Sequence, residues 1–389
     1  MTSSAQPPSE RPHSNELPEV HTWAGRPGSA DLAALPGCPA VYLFIDADGA
    51  PVQLATTQHL RRLTLSRLAD PERPQRGKAD LAEIVRGIRW RQVYSPFEGR
   101  WWYYRLARRM YPREYRPLIS FGPAWFLNID WQQPVAEIRV TERIWCVDGE
   151  CLGPWPTQRS CHEALEGLWD LFELCRYPEQ VRKAPHGTRC AYAEMGRCDA
   201  PCEGSAPIEA YRARCRAAWH FACGGIREWI TDAAGRMQAA AAERQYERAG
   251  LLKRQLAFAE KWRRDRAPRI RPDEQFNDLL AIPVTRRRAH KLFLFRRGHL
   301  IDGPVLLDRK LASQAPSWLE EALTRKPESL DATIRMEQTW LVAHFLYHQE
   351  ARSAIRVPLP TGELPGELAE VLREQSEIHR RTGAANSSV

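Results

Sequence analysis

The sequence predicts an α+β chain built from several small domains. Three observations predict it. An apolar hairpin followed by amphipathic helices stands near the start, a cysteine-bearing segment lies mid-chain, and a long proline-free helical stretch gives way to renewed strand patterning. With 389 residues the chain has room for roughly two or three cores. Hydrophobic residues make up 43% and charged residues 27%, which excludes a disordered or fibrous chain. The formal net charge of +8 favours an acidic partner such as nucleic acid. No apolar run reaches the roughly 18 residues of a membrane span. The opening MTSSAQPPSERPHSNELPEV has no apolar signal core, so a cytoplasmic protein with no membrane partner is expected.

Residues 1–33, rich in Pro, Ser and charge, read as a disordered tail. Residues 34–117 read as a small α/β domain. PAVYLFIDADGAPVQLA is its hairpin, turning at Asp48-Gly49, and Thr57 is a candidate N-cap for the helix that follows. A helix near Ala79–Ile88, a strand near Arg91–Tyr94 and a helix near Glu98–Met110 come next. Ser95 and Glu98 supply the S-x-x-E pattern of a capping box. Residues 118–206 are strand-rich as far as the Gly153-Pro154-Trp155-Pro156 turn, then carry an amphipathic helix at His162–Leu174 and the cysteine segment. Residues 207–264 are helical, 263–272 form a basic linker, and 265–380 return to strands and helices as a small C-terminal α/β piece. A loose tail spans 381–389.

Cys175, Cys190, Cys198 and Cys202 follow a C-x14-C-x7-C-x3-C spacing. Ten cysteines in a reducing compartment point to metal more than to disulfides, and four thiolates suit a tetrahedral sulfur site. The tight CxxC pairs typical of zinc knuckles are absent. That favours a [4Fe-4S] cluster, with zinc as the alternative. Cys38, Cys146, Cys151, Cys161, Cys215 and Cys223 have no such grouping and read as buried small hydrophobes.

From this point the chain resembles the UvrC family. CAYAEMGRCDAPCEG (residues 190–204) is close to the family's C-x-x-x-x-I-G-R-C-x-A-P-C-x-G, and CLGPWPTQRSCHEALEGLWDLFELCRY is similar to its G-P-[YF] turn and following helix. The resemblance implies an iron–sulfur cluster on Cys190, Cys198 and Cys202. The resemblance offers Cys175, two residues before the family position at Tyr177, as the candidate fourth ligand. GRMQAAAAERQYERAGLLKRQLAFAEKW resembles the UVR motif (about 233–264), through which the family docks onto UvrB. It implies a partner face carrying Tyr246, Glu247, Ala249, Leu252 and Leu256, with Arg254 where the family has Asp or Asn.

Residues 34–117 resemble the GIY-YIG nuclease domain in order and spacing. Tyr42 in PAVY matches the first half-motif tyrosine. The second half-motif falls on Gln53-Leu54-Ala55, the catalytic arginine on Leu63, and the metal-binding glutamate, seven residues after Glu98, on Arg105. One-metal phosphodiester cleavage needs a base, a cation for the developing charge and a carboxylate for the metal. Gln53, Leu63 and Arg105 supply none of these in their places, so Mg²⁺ is implied only for an active site. Arg61, Arg62, Arg67, Arg105, Arg108 and Arg109 remain as a candidate DNA-binding surface. Residues 276–306 resemble the segment after the UVR motif. The roughly 80 residues beyond are too few for the family's second nuclease domain and helix-hairpin-helix module at typical domain sizes. The expectation is a UvrC-like protein of nucleotide excision repair that binds DNA, a UvrB-like partner, or both, with cleavage lost or weak. The alternatives are a structure-specific endonuclease making a single incision and an iron–sulfur protein with a structural or redox-sensing role.

Overall fold

Apolar runs bounded by turn residues build three four-stranded antiparallel sheets in the computed structural model, which describes residues 15–69, 80–266, 269–284, 288–325, 330–359 and 366–386. The mixed helix-and-sheet class expected from the sequence is what forms. The first sheet contains β1 (Glu19–Thr22), β2 (Ala40–Ile45), β3 (Pro51–Thr57) and β4 (Gly87–Gln92), in the order β1-β4-β2-β3. Its hairpin turns as the Asp48-Gly49 pair predicts. The Asp46 carboxylate accepts from the backbone N–H groups of Asp48 and Ala50 at 3.0 and 2.7 Å, and Gly49 takes a left-handed φ of 70°. The next helix, Leu60–Thr64, is capped by His59 rather than Thr57, whose hydroxyl accepts from the His59 N–H instead.

Residues 15–33 depart from the expected disordered tail; residues 1–14 lie outside the described residues. Glu19–Thr22 adds an edge strand to β4, and Leu17 is fully buried. Backbone pairing and one inserted leucine outweigh the polar composition of the segment. The helix expected near Ala79–Ile88 is one turn, Leu81–Ile84, because the chain enters β4 at Gly87. A Cβ at Gly87 would sit 2.9 Å from Thr22.

The second sheet holds β5 (Trp125–Ile129), β6 (Arg139–Thr141), β7 (Glu150–Trp155) and β8 (Arg271–Pro272), in the order β6-β5-β7-β8. Two expectations change here. The Gly153-Pro154-Trp155-Pro156 run does not turn at Gly153; it continues β7 through Trp155, with Gly153 admitting the Phe126 ring that any Cβ would strike at 2.4 Å. Part of the basic linker 263–272 is β8, paired to Leu152 and Gly153. The helices Gln158–Phe172 and Ile208–His220 bury Leu165, Leu168, Tyr211 and Trp219 against this sheet. A π-turn at Phe221–Gly225 leads into Ile226–Ala242, and the chain reverses at Arg244 (φ 60°) into Tyr246–Arg266. That hairpin is anchored at its far end by Trp262, which meets Phe221 and Trp155 edge to face at 5.7 and 6.4 Å.

The third sheet joins β9 (Asn277–Pro283), β10 (Ala289–Arg296), β11 (His299–Leu307) and β12 (Ile355–Pro358), in the order β11-β10-β9-β12. Both of its faces are covered, which explains its near-continuous apolar runs. Leu279, Leu292 and Leu294 pack under the helices Asp308–Thr324 and Leu368–Asn386, the latter continuing through the expected loose tail to Asn386. Leu280, Ile282, Phe293 and Phe295 share the other core with the helices Ala332–Tyr347 and Pro96–Met110. Pro96–Met110 therefore lies between the first and third sheets. Phe97 touches Phe293 and Phe345 with ring centroids 5.1 and 4.7 Å apart. Among the described residues no helix is long and apolar enough to cross a membrane.

Candidate functional site

Strand alternation divides the residues of the nuclease resemblance between the two faces of the first sheet. Tyr42 lies in the core with Phe44, Leu60 and Leu68, on one face, and Leu63 packs against that core. Gln53 pairs with Phe44 on β3, and its side-chain carbonyl accepts from Arg67 at 3.4 Å. Burial pushes the Tyr42 phenol up, with the Arg67 charge opposing. A tyrosine 1% exposed with a raised pKa is poorly placed to activate water.

The helix Pro96–Met110 packs on the opposite face, with Val41 and Leu43. Ser95 caps it, accepting from the Glu98 N–H at 3.1 Å. Glu98 does not complete the expected capping box; it accepts from Tyr94 N–H at 2.7 Å and lies 3.4 Å from Lys291 of β10. Burial raises its carboxyl, and the Lys291 charge opposes that. Arg105, two turns on, meets Glu16 at 3.2 Å, and its guanidinium lies 4.8 Å from the Trp102 ring. A divalent cation does not fit here, since the one carboxylate already binds an ammonium group and the second position is a cation.

The six candidate DNA-binding arginines thus form two groups. Arg61 and Arg62 lie on the helix Leu60–Thr64, where Arg61 donates to Leu35 O at 2.6 Å, and Arg67 lies on the π-turn Leu65–Ala69 that follows. Arg105, Arg108 and Arg109 line a cavity of about 760 Å³ with β11 and the Ala332–Tyr347 helix. Glu337, fully buried, lies 3.8 Å from Arg108 and accepts from Tyr104, Tyr115 and Arg116 at 2.8, 2.5 and 3.2 Å. No sequence pattern marked Glu337 or Glu16, because their partners lie on other elements.

Cys175, Cys190, Cys198 and Cys202 gather beside the second sheet. Burial pushes the Cys175 thiol up to about 12, and the other three add to the rise through their charge. Left-handed turns at Gly196, Ala200 and Gly204 fold the segment. Among the described residues no three His, Cys, Asp or Glu side chains converge tightly enough to hold a single metal ion. Sulfur is nonetheless the only donor type the four residues offer, which fits a thiolate-held centre. Cys175, Cys190 and Cys198 border a cavity of about 420 Å³ whose other wall includes Leu251, Arg254 and Phe258 of Tyr246–Arg266. Cys151, Cys161 and Cys215 are buried in apolar cores, while Cys38, Cys146 and Cys223 are half-buried.

On the hairpin, Leu252 is buried, Ala249 and Leu256 are half-buried, and Tyr246 and Glu247 are exposed, Tyr246 by 71%. The expected partner face is therefore split, with its turn end open.

Residues 124–221 match the family model of the UvrC/Cho excinuclease middle domain. The chain is 28% identical to UvrABC system protein C of Moorella thermoacetica over 228 residues, 58% of this chain and 36% of that protein. It is 29% identical to that of Desulforudis audaxviator over 251 residues, 60% and 40% of the two chains. It is 23% identical to that of Methanosarcina mazei over 355 residues, 90% and 65%. The chain thus covers between about a third and two thirds of these relatives' lengths. No solved structure matches it.

Proposed function

We propose, on the match of residues 124–221 to the UvrC/Cho middle domain and the likeness to UvrABC system protein C, that the chain acts in nucleotide-excision-type DNA repair as a binding protein whose GIY-YIG-type cleavage is lost or weak. The observation that carries this reading is the Arg105–Glu16 pair. Where the nuclease resemblance calls for a carboxylate to hold a metal, a guanidinium holds a carboxylate of its own chain. DNA is engaged through the two arginine groups, whose contacts would be to phosphates and therefore salt-dependent.

A UvrB-like partner is engaged at the open end of the helical hairpin, around Tyr246 and Glu247, where an exposed tyrosine provides an aromatic anchor. Cys175, Cys190, Cys198 and Cys202 would hold a [4Fe-4S] cluster. A zinc site usually draws on tight CxxC pairs, and their absence from this segment favours the cluster over zinc. When bound, the cluster supplies a rigid cross-link of the segment to the second sheet. The domain reading that goes with this is a degenerate GIY-YIG-like unit at 34–117, a cysteine-bearing middle region, a UVR-type hairpin and a C-terminal α/β piece.

The test is a single preparation. Anaerobically purified protein is analysed for iron and sulfide, then mixed with a lesion-bearing duplex and Mg²⁺ or Mn²⁺. Iron and sulfide near four each per chain, lost in Cys198→Ser, are expected of such a cluster; a metal-free or zinc-bearing preparation overturns the cluster reading. The duplex should be bound and left uncut.

A further inference from the structure

We propose that the cavity between the Pro96–Met110 helix and the third sheet is a binding site for a nucleotide carrying a terminal phosphate, free or at the end of a strand. The proposal deepens the DNA-binding reading and rests on it for the choice of ligand class. At about 760 Å³ the cavity is in the range of small-molecule sites and far too small for a duplex. Arg105, Arg108, Arg109 and Arg325 line it, each with a carboxylate partner outside the lining (Glu16 for Arg105 and Arg109, Glu337 for Arg108 at 3.8 Å, Glu321 for Arg325 at 2.5 Å), and Asp302, the one carboxylate in the lining, lies 2.9 Å from Lys291. Leu300, Ile301, Leu330 and Ile334 give the apolar wall a base requires. Trp101 is 3% exposed, borders the cavity, and its indole N–H has no hydrogen-bond partner. A buried donor left unpaired beside four guanidinium groups calls for an acceptor, and a phosphate oxygen supplies one.

Two of the cavity's arginines already hold an anionic group of the chain, which itself lies outside the lining. Glu16, 9% exposed, lies 3.2 Å from Arg105 and 3.7 Å from Arg109. Its backbone carbonyl accepts from Arg91 at 2.6 Å, and the neighbouring Leu17 is fixed in the core. The carboxylate is thus a tethered stand-in for part of a phosphate, held by the two guanidiniums a ligand would use. One Glu16 oxygen makes no hydrogen bond although buried, so the pairing leaves capacity on both sides. A dianionic phosphate outcompetes one carboxylate for these arginines, and removing the Glu16 charge should favour the ligand.

The full chain is titrated with thymidine, thymidine 5′-monophosphate, and a thymidine tetranucleotide with and without a 5′-phosphate. Tryptophan fluorescence and calorimetry report binding. Phosphorylated probes should bind at least about tenfold tighter than their unphosphorylated counterparts. Glu16→Gln should tighten phosphorylated probes about threefold or more, and Arg109→Gln should weaken them about tenfold. Both positions are polar and outside the apolar core, and matched thermal unfolding of the variants checks that the fold is kept. Equal response to the mononucleotide and the tetranucleotide identifies a free nucleotide as sufficient; response to the tetranucleotide alone identifies a strand end. Absence of phosphate discrimination, or phosphate binding that Glu16→Gln and Arg109→Gln both leave unchanged, overturns the proposal. Duplex affinity measured on the same samples separates the two readings: intact duplex binding without nucleotide binding sinks only the cavity site.

Discussion

The helices Pro96–Met110 and Tyr246–Arg266 both carry positions at which the resemblance to UvrC implies a role, and they dispose of them in opposite ways. On the first, Glu98 and Arg105 are tied to Lys291 and Glu16, and the helix is held between two sheets. On the second, the far end is locked by Trp262 while Tyr246 and Glu247 stand open at the turn. A buried polar group such as Glu98, partnered within its own chain, serves the fold, since leaving it unpaired would cost several times what a surface contact returns. A large aromatic left in water gains nothing from the fold and is available to another molecule. The difference teaches that Glu98 on the first helix serves the packing of its own chain, while the turn of the hairpin stays exposed.

If that contrast holds, changes at the buried positions of the first helix act on stability and changes at the hairpin turn act on partner binding. Phe97→Ala should have the largest effect, destabilising by about 4 kcal/mol, since it empties the junction of two sheets. Urea unfolding measures it, and a loss below about 1 kcal/mol would show that the helix is not a shared core element.

Lys291→Met comes next, at about 3 kcal/mol near neutral pH, because Glu98 is left as a buried charge without its ammonium partner. The sign with pH follows from the raised Glu98 carboxyl. Its contribution is fully present below its ordinary value of 4.5 and is lost as the pH rises through the folded value. Without Lys291 the folded value climbs further. The variant's deficit should therefore be smallest in acid and grow toward neutrality; a deficit that is flat with pH would remove Glu98 from the explanation. Ser95→Ala should cost about 1 kcal/mol through the lost cap. Tyr246→Ala should change stability by less than about 0.5 kcal/mol and weaken capture of a UvrB-type helical hairpin by about tenfold or more. Reversed outcomes, with a stability loss and unchanged capture, would make Tyr246 architectural too.

Much of this was legible in the sequence where the cause is local. The Asp48-Gly49 turn, the Ser95 cap and the apolar strands at 276–306 are each fixed by residues a few positions apart. Features made by distant partners were illegible. Glu16 read as part of a polar tail until Arg91 from β4 and Arg105 and Arg109 from the Pro96–Met110 helix closed on it. Arg271-Pro272 read as linker because its strand partner, Leu152-Gly153, lies over a hundred residues away. Tyr42 and Arg105 belong to opposite faces of the first sheet, a separation that motif order along the chain does not show.

The central claim, binding without cutting, is tested most directly by incubating the purified chain with a lesion-bearing duplex and Mg²⁺ or Mn²⁺ while reading binding and strand integrity in the same tube. The account predicts a complex whose affinity falls steeply with salt and a duplex that stays intact. Metal-dependent nicking that disappears in Tyr42→Phe would contradict it.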